Sequence, residues 1–106
     1  MAKYLSKSCY TREGLSGLMK EGGTGRREAI EKVLASVGGK VESMYYAFGE
    51  TDLYVIAEVP DNVTAAALSM IVNASGAASS TMTVLLTPEE VDAAVKKTAD
   101  YRPPGQ

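Results

Sequence analysis

Two strand-like stretches separated by only two residues constrain this chain more than any other feature. Residues 40–48 (KVESMYYAF) and 51–59 (TDLYVIAEV) are rich in β-branched and aromatic residues, and only Gly49 and Glu50 lie between them. A gap this short joins antiparallel strands, so the pattern predicts a β-hairpin. The fold must therefore contain an antiparallel sheet built around this hairpin.

The second strand of the hairpin carries apolar side chains on both of its faces. Successive residues of a strand point to opposite faces. One face carries Leu53, Val55, Ala57 and Val59, and the other carries Asp52, Tyr54, Ile56 and Glu58. A strand that is covered on one face only alternates apolar with polar residues. We therefore expect this strand to be covered twice, once by helices and once by something else.

The rest of the chain supplies two further strands and several helical segments. In chain order we predict a strand over 3–10, a short helix over 13–20, a loop over 21–25, a helix over 26–37, the hairpin, a helix over 61–73, a strand over 79–87 and a helix over 88–99. The expected buried stripes of the three longer helices are Ile30, Val33, Leu34 and Val37; Val63, Ala67, Leu68, Met70 and Ile71; and Val91, Ala94 and Val95. This β-α-β-β-α-β order matches the ferredoxin-like motif.

These elements predict one α+β domain over residues 1–100 with a flexible tail over 101–106. In a ferredoxin-like sandwich, four antiparallel strands carry two helices on one face, which we name the covered face. The opposite, open face would carry Tyr54 and Ile56, and it is too apolar to remain in water. A second copy of the chain is the simplest cover, so we expect a two-fold homodimer or a higher homo-oligomer.

Composition excludes several classes of function. No histidine occurs, which removes Ser-His-Asp and Cys-His catalysis and His-ligated zinc, iron and copper sites. The net charge is -2, so nothing in the charge balance favours nucleic acid or an anionic membrane as a partner. We expect no metal and no cofactor. The N-terminus has no apolar signal core and no segment approaches a membrane span, so we expect a cytoplasmic protein.

A set of short motifs spread over about residues 3–90 resembles the GYD-domain family. The motifs are Arg26-Arg27-Glu28-Ala29, Gly38-Gly39-Lys40, Tyr45-Tyr46, Phe48-Gly49, Asp52, Glu58, Pro60-Asp61 and Gly76. The chain departs from the family at its naming Gly-x-Tyr-Asp motif, because Thr51 stands at the tyrosine position. The resemblance implies a relative of the dimeric α/β-barrels. A similar Gly-x-Tyr-Asp hairpin occurs in the effector-binding domains of leucine-responsive-type regulators, which bind small molecules near subunit interfaces; this chain lacks their DNA-binding helix-turn-helix.

Eight residues form the predicted ligand site: Glu58, Asp52, Tyr54, Tyr46, Tyr45, Ser8, Tyr10 and Lys7. Asp52 is either a turn residue that accepts backbone N–H groups around Gly49 and Glu50, or a ligand contact. Glu58 is either one half of a structural ion pair or an acid that transfers protons. Its cation in the first case would be one of Lys3, Lys7, Arg26 and Arg27.

Three functions of different classes follow. The first is a homo-oligomeric module that binds a small molecule between or beside facing sheets. The second is a cofactor-independent enzyme in which Glu58 or Asp52 is the base and a tyrosine is the acid. The third is a purely structural oligomer. A deep pocket lined by tyrosine and Glu58 favours the first two, whereas a solidly packed sheet interface leaves the third.

Overall fold

One four-stranded antiparallel sheet organises the chain, which a computed structural model describes over residues 1–106. The strands are β1 (Ala2–Tyr10), β2 (Lys40–Tyr46), β3 (Leu53–Val59) and β4 (Ala78–Leu85). The helices are α1 (Arg12–Ser36), α2 (Asn62–Ala74) and α3 (Pro88–Ala94). The order across the sheet is β2-β3-β1-β4, so β1 and β3 are central. This is the α+β, ferredoxin-like order that the sequence predicts.

The alternation of β3 decides which side of the sheet holds the core. The four residues predicted to share the covered face are all buried, whereas Tyr54 is exposed and Ile56 and Glu58 are half-buried. The core contains Tyr4, Leu34, Leu53, Val55, Ala57, Val59, Ala65 and Leu68. Only one of these residues comes from α1 and two come from α2. The helices therefore cover the sheet thinly.

The hairpin connection is longer than predicted. β2 ends at Tyr46 and β3 begins at Leu53, so residues 47–52 form the loop instead of Gly49 and Glu50 alone. The Ala47 N–H donates to the carbonyl oxygen of Asp52 at 2.9 Å and closes the loop. The Asp52 N–H then donates to the carbonyl oxygen of Ser8, also at 2.9 Å. The pairing of β2 with β3 ends at Tyr46 and Leu53, and beyond it the loop bonds to the end of β1.

Helix α1 runs through the segment predicted to be a loop. Residues 21–25 remain helical apart from Gly22, whose φ of 81° and ψ of 166° place a kink between two helical pieces. A positive φ of this size is readily adopted only by glycine. The hydroxyl of Tyr46 donates to the carbonyl oxygen of Gly23 at 3.0 Å, so the kink is attached to the end of β2. The expected interruption is therefore real but only one residue long.

Helix α2 buries only part of the predicted stripe. Leu68 is buried as predicted and Ala65 joins it, whereas Val63, Met70 and Ile71 are at least 65% exposed. Asp61 caps the helix as predicted, because its Oδ1 accepts the Thr64 N–H at 2.8 Å. Apolar residues surround this helix on several sides, so their spacing alone did not define its rotation. The small side chain of Ala65 allows close approach to the sheet.

Helix α3 lies outside the packed body. Its capping box forms as the sequence predicts, with Thr87 and Glu90 exchanging two hydrogen bonds. The helix ends at Ala94 instead of near residue 99, and none of its residues is buried. The expected stripe of Val91 and Val95 is thus exposed. The radius of gyration is 16.9 Å, whereas a compact chain of this length has about 13 Å.

The first turn of α1 is held against the start of β4. Thr11 Oγ1 accepts the Gly14 N–H at 3.1 Å, and the Thr11 N–H donates to the carbonyl oxygen of Ala77 at 3.0 Å. A Cβ atom added to Gly14 would lie only 1.9 Å from that same oxygen. The close contact between α1 and the chain before β4 therefore requires glycine at this position.

Two glycines of α1 make a matched stability test. Gly14→Ala should lower the free energy of unfolding by about 2 to 3 kcal/mol, because the new methyl group forces the helix away from Ala77. Gly17→Ala should raise it by about 0.5 to 1 kcal/mol, because nothing lies within 4 Å and alanine favours the helix. Urea unfolding measures both values. Equal effects of the two substitutions would contradict the close contact.

Candidate functional site

A cleft opens between α1, α2 and the covered face of the sheet. The two helices hardly contact each other, so they leave a half-open space of about 280 Å³. Most of its lining is hydrophobic, including Ile30 and Leu34 on α1, Leu68 and Val72 on α2, and Val55 and Met82 on the sheet. The volume is near the lower end of the range for small-molecule sites.

Three serine hydroxyls form a polar strip on the floor of the cleft. Ser8 on β1 lies directly opposite Ser80 on β4, and Ser8 Oγ donates to Ser80 Oγ at 3.2 Å. Ser6 Oγ lies 3.2 Å from the same Ser80 oxygen. Each hydroxyl has one hydrogen, and these three hydroxyls share two hydrogen bonds. One O–H group of the strip is therefore left without an acceptor among the three.

The end of the cleft near the hairpin carries two buried polar atoms without hydrogen-bond partners. They are the hydroxyl of Tyr10 and Nε of Arg26. Arg26 Nε lies 3.5 Å from Glu21 Oε2, so the two side chains form an ion pair. The Arg26 Nε–H group nevertheless makes no hydrogen bond. An unpaired buried polar group carries a desolvation penalty of about 1 to 3 kcal/mol. Such groups in a cleft can bond to water or to another molecule, which makes this end the candidate polar part of the site.

Burial raises the pKa of Tyr10 above its ordinary value of 10.0, and the neighbouring Tyr46 adds to this shift. The Arg26 guanidinium opposes it in part. Burial also raises the pKa of Tyr46. The phenol of Tyr10, like any tyrosine, is protonated at neutral pH, so it is available as a hydrogen-bond donor.

Of the eight predicted site residues, Ser8 and Tyr10 line the cleft. Lys7 and Tyr54 are cross-strand partners on the open face, and Tyr45 pairs with Tyr54 on that same face. Glu58 also lies on the open face. Tyr46 faces α1 and bonds to Gly23. The sheet therefore separates the predicted residues into two groups that cannot share one cavity.

Asp52 holds the hairpin loop to β1. Its Oδ2 accepts the N–H of Tyr10 at 2.8 Å, and its own N–H bonds to Ser8. The predicted turn partners around Gly49 and Glu50 are not the ones it uses. This bond fixes the backbone of Tyr10, and so it places the Tyr10 ring at the end of the cleft.

Glu58 pairs with a cation that the sequence did not single out. Its Oε2 lies 3.4 Å from Nζ of Lys40, which is its register partner on β2. The side chain of Lys40 is 68% exposed, so this pair contributes little to stability. Lys3 faces Glu58 from β1, but its ammonium group donates to Glu42, which lies at an irregularity in the β2 register. None of the four cations expected beside Glu58 forms an ion pair with it.

Arg26, Ser6, Ser80 and Met82 belong to the cleft but not to the predicted site. The alternation of side chains along a strand, which is visible in the sequence, places Ser80 and Met82 on one face of the last strand. The register of β4 against β1 is not visible in the sequence, and only that register puts Ser80 beside Ser8. The sequence indicates Arg26 as part of a family motif and as a possible partner for Glu58, but not as a cleft residue.

Comparison with known proteins gives one family. The profile described as the GYD domain matches residues 4–95 of the 106-residue chain, a range that includes the cleft and the hairpin. Neither curated proteins nor solved structures give a significant match. No group of three acidic or cysteine side chains is arranged to hold a metal ion. None of the helices combines the length and apolar character needed to cross a membrane.

The raised pKa of Tyr10 predicts a pH dependence of stability. As pH rises through about 10, the unfolded chain loses its Tyr10 proton before the folded chain does, so the free energy of unfolding should fall. Tyr46 and Lys3, whose pKa values are also raised, act in the same direction. Tyr10→Phe should therefore make the decline between pH 9 and pH 11 shallower, as measured by urea unfolding. An unchanged decline would show that Tyr10 is solvated.

Proposed function

Because the chain belongs to the GYD-domain family, we propose that it is a homo-oligomeric protein that binds a small molecule in the cleft between α1, α2 and the covered face. One observation carries this proposal: an apolar cleft of about 280 Å³ ends at two buried polar atoms that lack partners. Small-molecule sites combine an apolar concave surface with a few convergent polar groups in this way. Family membership supports the fold and leaves the activity open.

The cleft differs from a packing defect in its chemistry. An empty apolar cavity in a core is destabilising, because its lining loses dispersion contacts. Here the floor carries three serine hydroxyls and one end carries a tyrosine and an arginine. Polar residues at these positions contribute nothing to a hydrophobic core, yet they suit a bound molecule with a polar group. A bound molecule would also restore the missing apolar contacts.

The proposed site lies on the covered face, whereas the sequence pointed to a site between or beside facing sheets. Ser8 and Tyr10 belong to both versions. Lys7, Tyr54 and Glu58 lie on the other side of the sheet and do not reach the cleft. The open face is therefore assigned to self-association in this proposal.

The apolar side chains of the open face support self-association, because a contiguous exposed apolar surface marks an interaction site. The open face contributes the apolar side chains Leu5, Tyr45, Tyr54, Ile56 and Leu85. Two copies that meet through this face would form a two-fold dimer.

Catalysis ranks below binding because the two acids lack the required surroundings. The enzymatic alternative needs Glu58 or Asp52 beside a tyrosine hydroxyl in one cavity. Glu58 lies on the open face beside Lys40, and the carboxylate of Asp52 is occupied by a backbone N–H. No observation favours the third alternative, a purely structural oligomer, over a binding protein with an open cleft.

Filling the cleft from α2 tests the binding site. Val72→Phe enlarges a residue on the cleft wall and should weaken binding of the fluorescent probe 8-anilinonaphthalene-1-sulfonate at least about tenfold. Fluorescence titration measures the affinity. The matched control is Val63→Phe, which makes the same change on the outer side of α2, where Val63 is 79% exposed. Equal binding by both variants would place the probe elsewhere and contradict the proposed site.

A charge placed at the centre of the open face tests the dimer. Ile56→Glu should convert the protein from dimer to monomer in sedimentation equilibrium, because a carboxylate would be buried without a partner. Val63→Glu, on the outer side of α2, should leave the dimer intact. Wild-type protein that sediments as a monomer at tens of micromolar would contradict self-association through this face.

A further inference from the structure

The cleft between α1, α2 and the covered face has two chemically different ends. Tyr10 and Arg26 lie together at one end, and the pKa of Tyr10 responds to the charge of Arg26. The rest of the cleft is mostly apolar, with Leu34, Leu68 and Met82 beside the serine strip on the floor. A molecule that fills this space must therefore place its polar group at the Tyr10 end and its apolar part along the sheet.

The polar end of the cleft presents an excess of hydrogen-bond donors. Arg26 can donate hydrogen bonds but cannot accept them. The Tyr10 hydroxyl carries one donor hydrogen, and it has no partner. The serine strip of Ser6, Ser8 and Ser80 leaves a third O–H group available. Every buried side-chain polar atom of the chain that lacks a partner lies in this cleft, and both of these atoms can donate.

We propose that the cleft selects small apolar molecules whose polar end is an accepting oxygen, a carbonyl or a carboxylate, held by Tyr10 and Arg26. This inference rests on the proposed function, since it names the class of ligand for the same site. An accepting oxygen would pair the two unsatisfied donors at once. An ammonium group has no lone pair with which to accept a hydrogen bond, so it would leave both donors unpaired.

The charges around the polar end explain why a neutral carbonyl and a carboxylate both belong to this class. Arg26 is already shared with Glu21, whose Oε2 lies 3.5 Å from Nε. A carboxylate on the ligand would compete with Glu21 for Arg26, whereas a neutral carbonyl would only need the free N–H and the Tyr10 hydroxyl. The phenol of Tyr10 is protonated at neutral pH, and burial raises its pKa further above 10.0, so this donor is present.

Three eight-carbon probes that differ in their polar end test the inference. These are 2-octanone, octanoate and octylamine, each titrated into the full-length protein while the amide signals of Ser8 and Ser80 are followed by ¹H–¹⁵N NMR. The two probes with accepting oxygens should bind at least about tenfold more tightly than octylamine. Removing one hydrogen bond with Tyr10→Phe should weaken both about fivefold and leave octylamine unchanged.

Two further variants complete the design. Tyr54→Phe removes a tyrosine hydroxyl from the open face and should change no affinity. Arg26→Met keeps much of the side-chain volume and should weaken both 2-octanone and octanoate, because each loses a donor at the polar end. The dispersion of its NMR spectrum shows whether each variant is folded. If Tyr10→Phe does not fold, Arg26→Met tests the same polar end.

The outcomes separate this inference from the proposed function. If octylamine binds the cleft as tightly as the other probes, or if Tyr10→Phe leaves their order unchanged, the preference for accepting oxygens is wrong although the cleft still binds small molecules. If no probe shifts the Ser8 and Ser80 signals and the fluorescent probe also fails to respond to Val72→Phe, both the inference and the proposed site are wrong.

Discussion

The pairing of β1 on both of its edges is the constraint on which the rest of the structure depends. β1 is antiparallel to β3 on one side and to β4 on the other, which joins the first ten residues to two distant parts of the chain. Its alternation then assigns every second side chain to the covered face. Tyr4 enters the core, while Ser6, Ser8 and Tyr10 follow it along the floor of the cleft. The site is thus a direct consequence of the β1 register.

The cleft exists because the two long helices are fixed at different places. The first turn of α1 is held by the contact between Gly14 and Ala77, and its kink is attached to β2 by the bond from Tyr46 to Gly23. Helix α2 approaches the sheet through Ala65 and Leu68. These contacts hold the two helices apart. The space above the serine strip is therefore not filled by side chains of this chain.

Much of the fold could be predicted because its signals are local. The alternation of β3, the cap at Asp61 and the capping box of Thr87 and Glu90 depend on neighbours along the chain, and all three appear in the structure. The predicted buried stripe of α2 was only partly right because its apolar residues are not confined to one side. The predicted site residues lie on two sides of the sheet, because the prediction grouped them by chemistry and not by strand face. On β1, for example, Lys7 lies on the open face whereas Ser8 and Tyr10 line the cleft.

The sequence by itself determined the order of elements, the hairpin, the two faces of β3 and the family to which the chain belongs. These follow from spacing between residues that are close in the chain. Only the tertiary structure decided that Lys40 meets Glu58, that Ser80 meets Ser8, and that Tyr10 and Arg26 share one end of a cleft. The physical reason is that strand register and helix placement depend on contacts between distant segments, which local spacing does not encode.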